Sequence, residues 1–198
     1  MKIQLFRLYE IVCRYLGYRP EDTRQECGVL TLRERFNTIV TEVATEVIKE
    51  LPAEWLETVQ SFTDSPLRHN AEEGSGTVLL PSGFVRLVSF RLEGWQRTLY
   101  AAGHPGDLLY RLQQQPVRAL RGSDARPCCF LTNTTLGTVL TYFCSPSPDT
   151  TNSTSDTSRR IAEALYIPAP VVDRDGAIEL PRLAVSAVAK RCAERLQQ

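Results

Sequence analysis

The hydrophobic spacing of this 198-residue chain changes near residue 77, and that change limits the fold more than any other feature. Before it, residues 2–18 and 31–50 place apolar side chains at helical spacing. After it, Phe84–Leu92 carries apolar residues in both alternating sets, which predicts a strand buried on much of both faces. Leu180–Leu196 then returns to helical spacing. This order predicts an α+β fold, with N-terminal helices and a C-terminal helix packed with a small, mostly antiparallel β domain.

Local signals mark several of the elements. Thr31 and Glu34 form a capping-box pattern at the start of the second helix, and Pro181 suits the first turn of the last one. Leu108–Gln115 is long enough for one or two helical turns. Further strands are predicted at Thr77–Leu80, Gln96–Ala101, Cys128–Thr132 and Gly137–Cys144.

The same signals predict three regions. Residues 1–76 form an N-terminal helical region with a polar linker that closes on a glycine hinge at 74–76. Residues 77–179 form a β-rich region, in which the polar, low-complexity stretch 145–158 is a mobile loop. Residues 180–198 form the C-terminal helix, which packs back on the N-terminal helices.

Composition narrows the function classes. Basic and acidic residues balance at 23 each, so the chain has no electrostatic signature of general nucleic-acid binding. All the basic residues except Lys2, Lys49 and Lys190 are arginines, which suit protein interfaces. No apolar run approaches the roughly 18 residues that span a bilayer. The cysteines lack metal-site spacing and lie among apolar neighbours, which favours buried free thiols.

The sequence offers little for catalysis, which indicates a protein that is not an enzyme and binds no cofactor or metal. His69 and His104 lie beside turn residues without a metal-binding partner. Glu42 and Glu46 share a helix face where solvation is the default. Phosphate-binding loops and the nucleophile elbow are absent. The enzymatic alternative is a small Cys-dependent hydrolase that uses Cys128 or Cys144 with His104.

Leu79–Arg97 is the most distinctive segment, because a proline-marked strand entry leads to a glycine–tryptophan turn. Its general interpretation is a core hairpin with Trp95 as a packing anchor. The segment also resembles structural proteins of Bacteroides-type, including crAss-like, tailed phages and prophages. Similar motifs continue in order at Tyr110–Gln113, Arg121–Gly122, Arg126–Cys128, Leu140–Phe143 and Tyr166–Pro168. Gly83 and Val85 depart from the aspartate and leucine of that pattern, and 145–158 resembles an insertion.

The resemblance implies a head–tail adaptor, or head-completion ring protein, of the virion, assembled in the bacterial host cytoplasm. Such proteins combine a helical bundle with a small β domain. They form a ring of their own copies, commonly twelve, that joins the portal protein to tail or other ring proteins and lines part of the DNA channel. In that setting Arg86, Arg91, Trp95 and Arg97 are interface candidates. The alternative within the same class is another tail completion or tube-associated protein.

Overall fold

The computed structural model describes residues 1–19, 31–52, 55–57, 59–70, 73–117, 120–135, 137–144 and 159–198. In chain order the elements are β1 (Lys2–Gln4), α1 (Leu5–Leu16), α2 (Leu32–Glu50), β2 (Gln60–Ser61), β3 (Leu67–Asn70), β4 (Ser75–Leu79), β5 (Phe84–Leu92), α3 (Leu108–Gln113), β6 (Cys128–Thr134), β7 (Gly137–Phe143), β8 (Ile161–Pro168), β9 (Ala177–Glu179) and α4 (Ala184–Leu196). These elements confirm the α+β fold class. The predicted loop 145–158 lies outside the described residues.

Two compact units divide the chain. The helical unit comprises Met1–Val59 with Pro168–Gln198, and the β unit comprises Gln60–Ile167. The β unit is therefore inserted, in sequence order, between α2 and β9 of the helical unit. The sequence placed the start of the β-rich region at residue 77, because Gln60–Asn70 is polar and carries no alternating pattern.

Helix α2 begins where the sequence predicts. The Glu34 N–H donates to Thr31 Oγ1 at 3.3 Å, and the Thr31 N–H donates to Glu34 Oε2 at 2.7 Å, so the capping box is confirmed. These hydrogen bonds from Thr31 lower the pKa of the Glu34 carboxyl. The buried side chains of α2 form one stripe that includes Phe36, Val40 and Val43.

Helices α1, α2 and α4 share one core in the helical unit. Leu8 and Val12 of α1, Phe36 of α2, and Val188 and Cys192 of α4 are each fully buried in it. Because each helix is amphipathic, the three apolar stripes are removed from water together. The C-terminal helix is thus part of the same core as the two N-terminal helices.

Both terminal helices are shorter than the sequence predicts, and one strand pair explains both differences. β1 pairs antiparallel with β9, and Ile3 faces Ile178. The Leu180 N–H donates to the Met1 carbonyl at 2.9 Å, so the backbone up to Leu180 follows this ladder. Helix α4 consequently begins at Ala184, and Pro181 precedes it instead of lying in its first turn.

The β unit contains a three-stranded sheet in the order β2-β8-β5 and a four-stranded sheet in the order β3-β4-β7-β6. β2 pairs antiparallel with β8, and the β3–β4, β4–β7 and β6–β7 pairs are antiparallel as well. β5 spans the predicted residues, and Leu87 and Phe90 are buried although they lie on opposite faces, which confirms a strand covered on both sides. Both sheets contribute to one core.

Two local predictions in the β unit are wrong. Gln96–Ala101 forms only a bridge between Leu99 and Phe90, instead of a returning strand. The predicted hinge at 74–76 forms a turn at Gly74 and the first residues of β4. Gly76 packs so closely that a Cβ atom there would overlap the Tyr142 hydroxyl and the Arg68 carbonyl. This glycine therefore serves close packing, not flexibility.

Candidate functional site

Trp95 follows a turn at the end of β5, where Gly94 adopts φ +86°. The backbone N–H of Trp95 donates to the Leu92 carbonyl at 3.1 Å. The indole is 4% exposed and packs edge-on against Phe90 and Tyr142, with ring centroids 5.5 Å and 5.9 Å away. Trp95 therefore anchors the core of the β unit. Its burial leaves almost no ring surface for a partner protein.

The three arginine candidates lie at separate places. Arg86 and Arg91 are partly exposed and project from opposite faces of β5, because their positions differ by an odd number of residues. Arg91 Nε lies 3.9 Å from Glu163 Oε2, which is an ion pair too long for a hydrogen bond. Arg97 is exposed beyond the Trp95 turn. The structure does not bring these arginines together into one site.

A polar pair formed by the half-buried His69 and the buried Tyr142 crosses the four-stranded sheet. His69 Nδ1 lies 3.0 Å from the Tyr142 hydroxyl, and the two rings are stacked with centroids 6.0 Å apart. Burial raises the pKa of the Tyr142 phenol. Burial, followed by the charge of Arg159, lowers the pKa of the His69 imidazole. The His69 imidazole and the Tyr142 phenol are therefore both held neutral. Arg159 in turn forms an ion pair with Asp124 at 2.7 Å.

The thiols lie in environments that oppose ionisation. Cys13, Cys129, Cys144 and Cys192 are buried and free, which confirms that prediction for them, whereas Cys128 is partly exposed and Cys27 lies outside the described residues. Burial raises the pKa of Cys128 to about 11 and also raises the pKa of Cys144. His104 lies exposed in a turn, where its backbone N–H donates to Asp107 Oδ2 at 2.7 Å. These environments disfavour a thiolate nucleophile.

The described residues contain neither a metal-binding cluster nor a membrane-spanning helix. No cluster of three or more histidine, cysteine, aspartate or glutamate residues is placed to hold a metal ion in this part of the chain. None of the described helices combines the length and the apolar character needed to cross a membrane.

Helix α3 presents two neighbouring leucines to solvent. Leu108 is 72% exposed and Leu109 is 61% exposed. On the inner side, Tyr110 packs edge-on against Phe130 and Phe143, with ring centroids 5.1 Å and 6.1 Å away. We call Leu108 and Leu109 the leucine pair. Because Tyr110 fixes the helix on the sheet, the exposure of the leucine pair is a consequence of the fold.

Side-chain hydrogen bonds hold this helix in place. The buried Gln113 donates to the Leu109 carbonyl at 2.9 Å and accepts from the Gly122 N–H at 2.7 Å. Arg121 Nε donates to the Gln115 carbonyl at 2.7 Å. These hydrogen bonds therefore fix the helix that carries the leucine pair. Sequence spacing predicted this helix but could not show which of its side chains face solvent.

A groove of about 500 Å³ opens elsewhere in the β unit. Phe62, Leu80 and Tyr166 are the buried residues that line it, and Asp64 and Ser82 are exposed residues at its edge. The Tyr166 hydroxyl donates to Gln60 Oε1 at 2.9 Å, and the lining of the groove combines polar and apolar groups. We call this feature the sheet groove. The polar composition of residues 53–76 predicts a linker and does not indicate a groove.

A scan against models of known protein families and a search of curated proteins both found no match for this chain.

Proposed function

We propose that this protein is a structural subunit that acts through protein–protein contacts, and that it forms part of the connector ring between the portal and the tail of a tailed phage. The observation that carries the proposal is the architecture. A β unit, Gln60–Ile167, is inserted into the chain of a helical unit formed by residues from both sides of it. This agrees with the helical bundle and small β domain that the resemblance of Leu79–Arg97 implies.

The chemistry of the described side chains supports binding over catalysis. The partly buried His69–Tyr142 pair is held neutral, and Arg159 and Asp124 pair their opposite charges. By contrast, hydrophobic groups that cost free energy to leave in water are exposed on rigid elements. Leu108 and Leu109 are the clearest examples in the β unit.

A ring requires a heterologous interface, in which one surface of a subunit binds a different surface of its neighbour. The β unit offers two such surfaces, an apolar projection at α3 and a concavity at the sheet groove. Arg86, Arg91 and Arg97 remain interface candidates on partly or fully exposed surface. Trp95 supports the interface only indirectly, by fixing the core from which these surfaces project.

The test is assembly of the purified chain alone and with the cognate portal protein. We expect light scattering to report a closed oligomer, and electron microscopy to show rings or portal-dependent assemblies. A chain that stays monomeric across its soluble concentration range and does not bind the portal contradicts the proposal. Binding to the tail tube without binding to the portal favours the alternative of a tail completion protein.

A further inference from the structure

The leucine pair and the sheet groove lie towards opposite ends of the four-stranded sheet. Tyr110 of α3 packs on Phe143, and Phe143 is aligned with Ser75 at the start of β4. The groove residue Leu79 is at the other end of β4, aligned with Val139. Four residues of extended strand span roughly 13 Å at about 3.3 Å per residue. One copy therefore carries the two surfaces at separate places on the β unit.

The two surfaces are complementary in shape. The leucine pair projects from the β unit, whereas the sheet groove is concave, and its lining combines the buried Phe62, Leu80 and Tyr166 with polar side chains. A volume of about 500 Å³ is in the range of sites that enclose small organic groups. It is large enough to accept two leucine side chains.

The charges at the two surfaces are opposite. Arg111 is exposed one helical turn from Leu108, and it forms no ion pair within the described part of the chain. The exposed charged residue that lines the sheet groove is Asp64. When a leucine pair enters the groove of another copy, an arginine accompanies it towards a carboxylate. Such complementarity favours one register and one partner.

We propose that the leucine pair of one copy inserts into the sheet groove of a second copy, with Arg111 of the first facing Asp64 of the second. This inference rests on the proposed function, because it supplies the contact by which the ring assembles. The contact joins two different surfaces, so each copy retains one free projection and one free groove. The contact can therefore repeat from copy to copy until a ring closes.

A mixing experiment with two inactive variants tests this contact. The full-length double variant Leu108→Asp/Leu109→Asp removes the projection, and Ser82→Trp fills the edge of the groove. Each substitution is at an exposed position, so far-UV circular dichroism and the thermal midpoint should match the wild type. We expect each variant alone to be monomeric, and an equimolar mixture to form a one-to-one dimer that grows no further, as measured by analytical ultracentrifugation.

Charge exchange provides a second test. Arg111→Glu and Asp64→Arg should each weaken self-association by roughly tenfold, because each places like charges at the contact. The double variant Arg111→Glu/Asp64→Arg should recover most of the lost affinity. The matched control is Val171→Asp, which adds a charge at a valine that is 72% exposed in the helical unit and should leave assembly unchanged.

The outcomes separate this contact from the proposed function. A wild-type chain that forms rings, together with a Leu108→Asp/Leu109→Asp variant that forms the same rings, overturns the contact and leaves the ring function standing. Variants that self-assemble normally but no longer bind the portal assign the leucine pair to the portal, and also overturn the contact. A wild-type chain that neither self-associates nor binds the portal overturns both.

Discussion

At the scale of single residues, Tyr142 determines how closely the β unit can pack. Its hydroxyl is hydrogen-bonded to His69, its ring contacts Phe90 and Trp95, and its edge lies against Gly76. A side chain of this size is fully buried only because the neighbouring strand has no Cβ at residue 76. The glycine and the tyrosine therefore act as one packing unit.

Substitution of Gly76 by alanine tests this packing. The added Cβ would overlap both Tyr142 and the Arg68 carbonyl, and the backbone carbonyl cannot move without disturbing the β3–β4 ladder. We expect Gly76→Ala to lower the free energy of unfolding by about 1–3 kcal/mol, the range for overpacked cores. Urea denaturation followed by fluorescence measures the change.

The matched control for this substitution is Gly106→Ala. Gly106 has no heavy atom within 4 Å of an added Cβ and lies in an exposed turn. Its free energy of unfolding should stay within about 0.5 kcal/mol of the wild type. Equal losses in the two variants would show that backbone flexibility, and not the contact with Tyr142, is what residue 76 provides.

At the scale of elements, a set of ion pairs joins α4 to α2. Arg195 binds Glu42 at 3.0 Å and Glu46 at 2.7 Å, and Arg191 binds Glu50 at 2.8 Å. These contacts raise the pKa of both guanidinium groups. The pairs lie at the surface, so they guide the alignment of the helices more than they stabilise them.

Replacement of Arg195 by glutamine should lower the urea midpoint slightly in dilute buffer. The loss should disappear in about 1 M salt, where the screening length falls to about 3 Å. Lys190→Gln serves as the control, because Lys190 is an exposed position on the same helix with no ion pair among the described residues. A loss that persists in high salt would mean that Arg195 contributes through packing of its aliphatic stem.

Sequence reasoning performed best for elements whose signals are local. Helix α2 was predicted to within one residue because Thr31 and Glu34 mark its start and a long apolar stripe follows. β5 was predicted to the residue because both of its faces are apolar. In each case the residues that decide the element lie within it.

The short strands β1 and β2 were not predicted, because the strands that pair with them lie far away in the sequence. β1 is defined by β9, about 175 residues later, and β2 by β8, about 105 residues later. The leucine pair and the sheet groove were missed for a related reason. Whether Leu108 is exposed and Phe62 is buried depends on tertiary packing. The hydrophobic spacing within a single segment does not reveal that packing.

At the scale of the whole molecule, each unit has a core of its own. The helical core includes Val188, and the β core includes Trp95. Each unit also carries one tryptophan, since Trp55 belongs to the helical unit. These features allow the stability of one unit to be measured while the other is perturbed.

We expect Val188→Asp to unfold the helical unit and leave the β unit folded. An unpaired carboxylate at this fully buried position should cost more than about 4 kcal/mol. In a Trp55→Phe background, the helical signal at 222 nm should fall while the Trp95 emission stays that of a buried indole. The exposed Val171→Asp serves as the control, and simultaneous loss of both signals would show that the units unfold as one.

The insertion of the β unit also sets an order of events during translation. All of the β unit has been synthesised once Ile167 is made, but the helical core still lacks Val188 and Cys192 of α4. At about 5–20 residues per second, α4 follows roughly 1.5–6 s later. During that interval α1 and α2 expose apolar stripes without their third partner. The nascent chain therefore presents a chaperone-binding surface that the finished protein conceals.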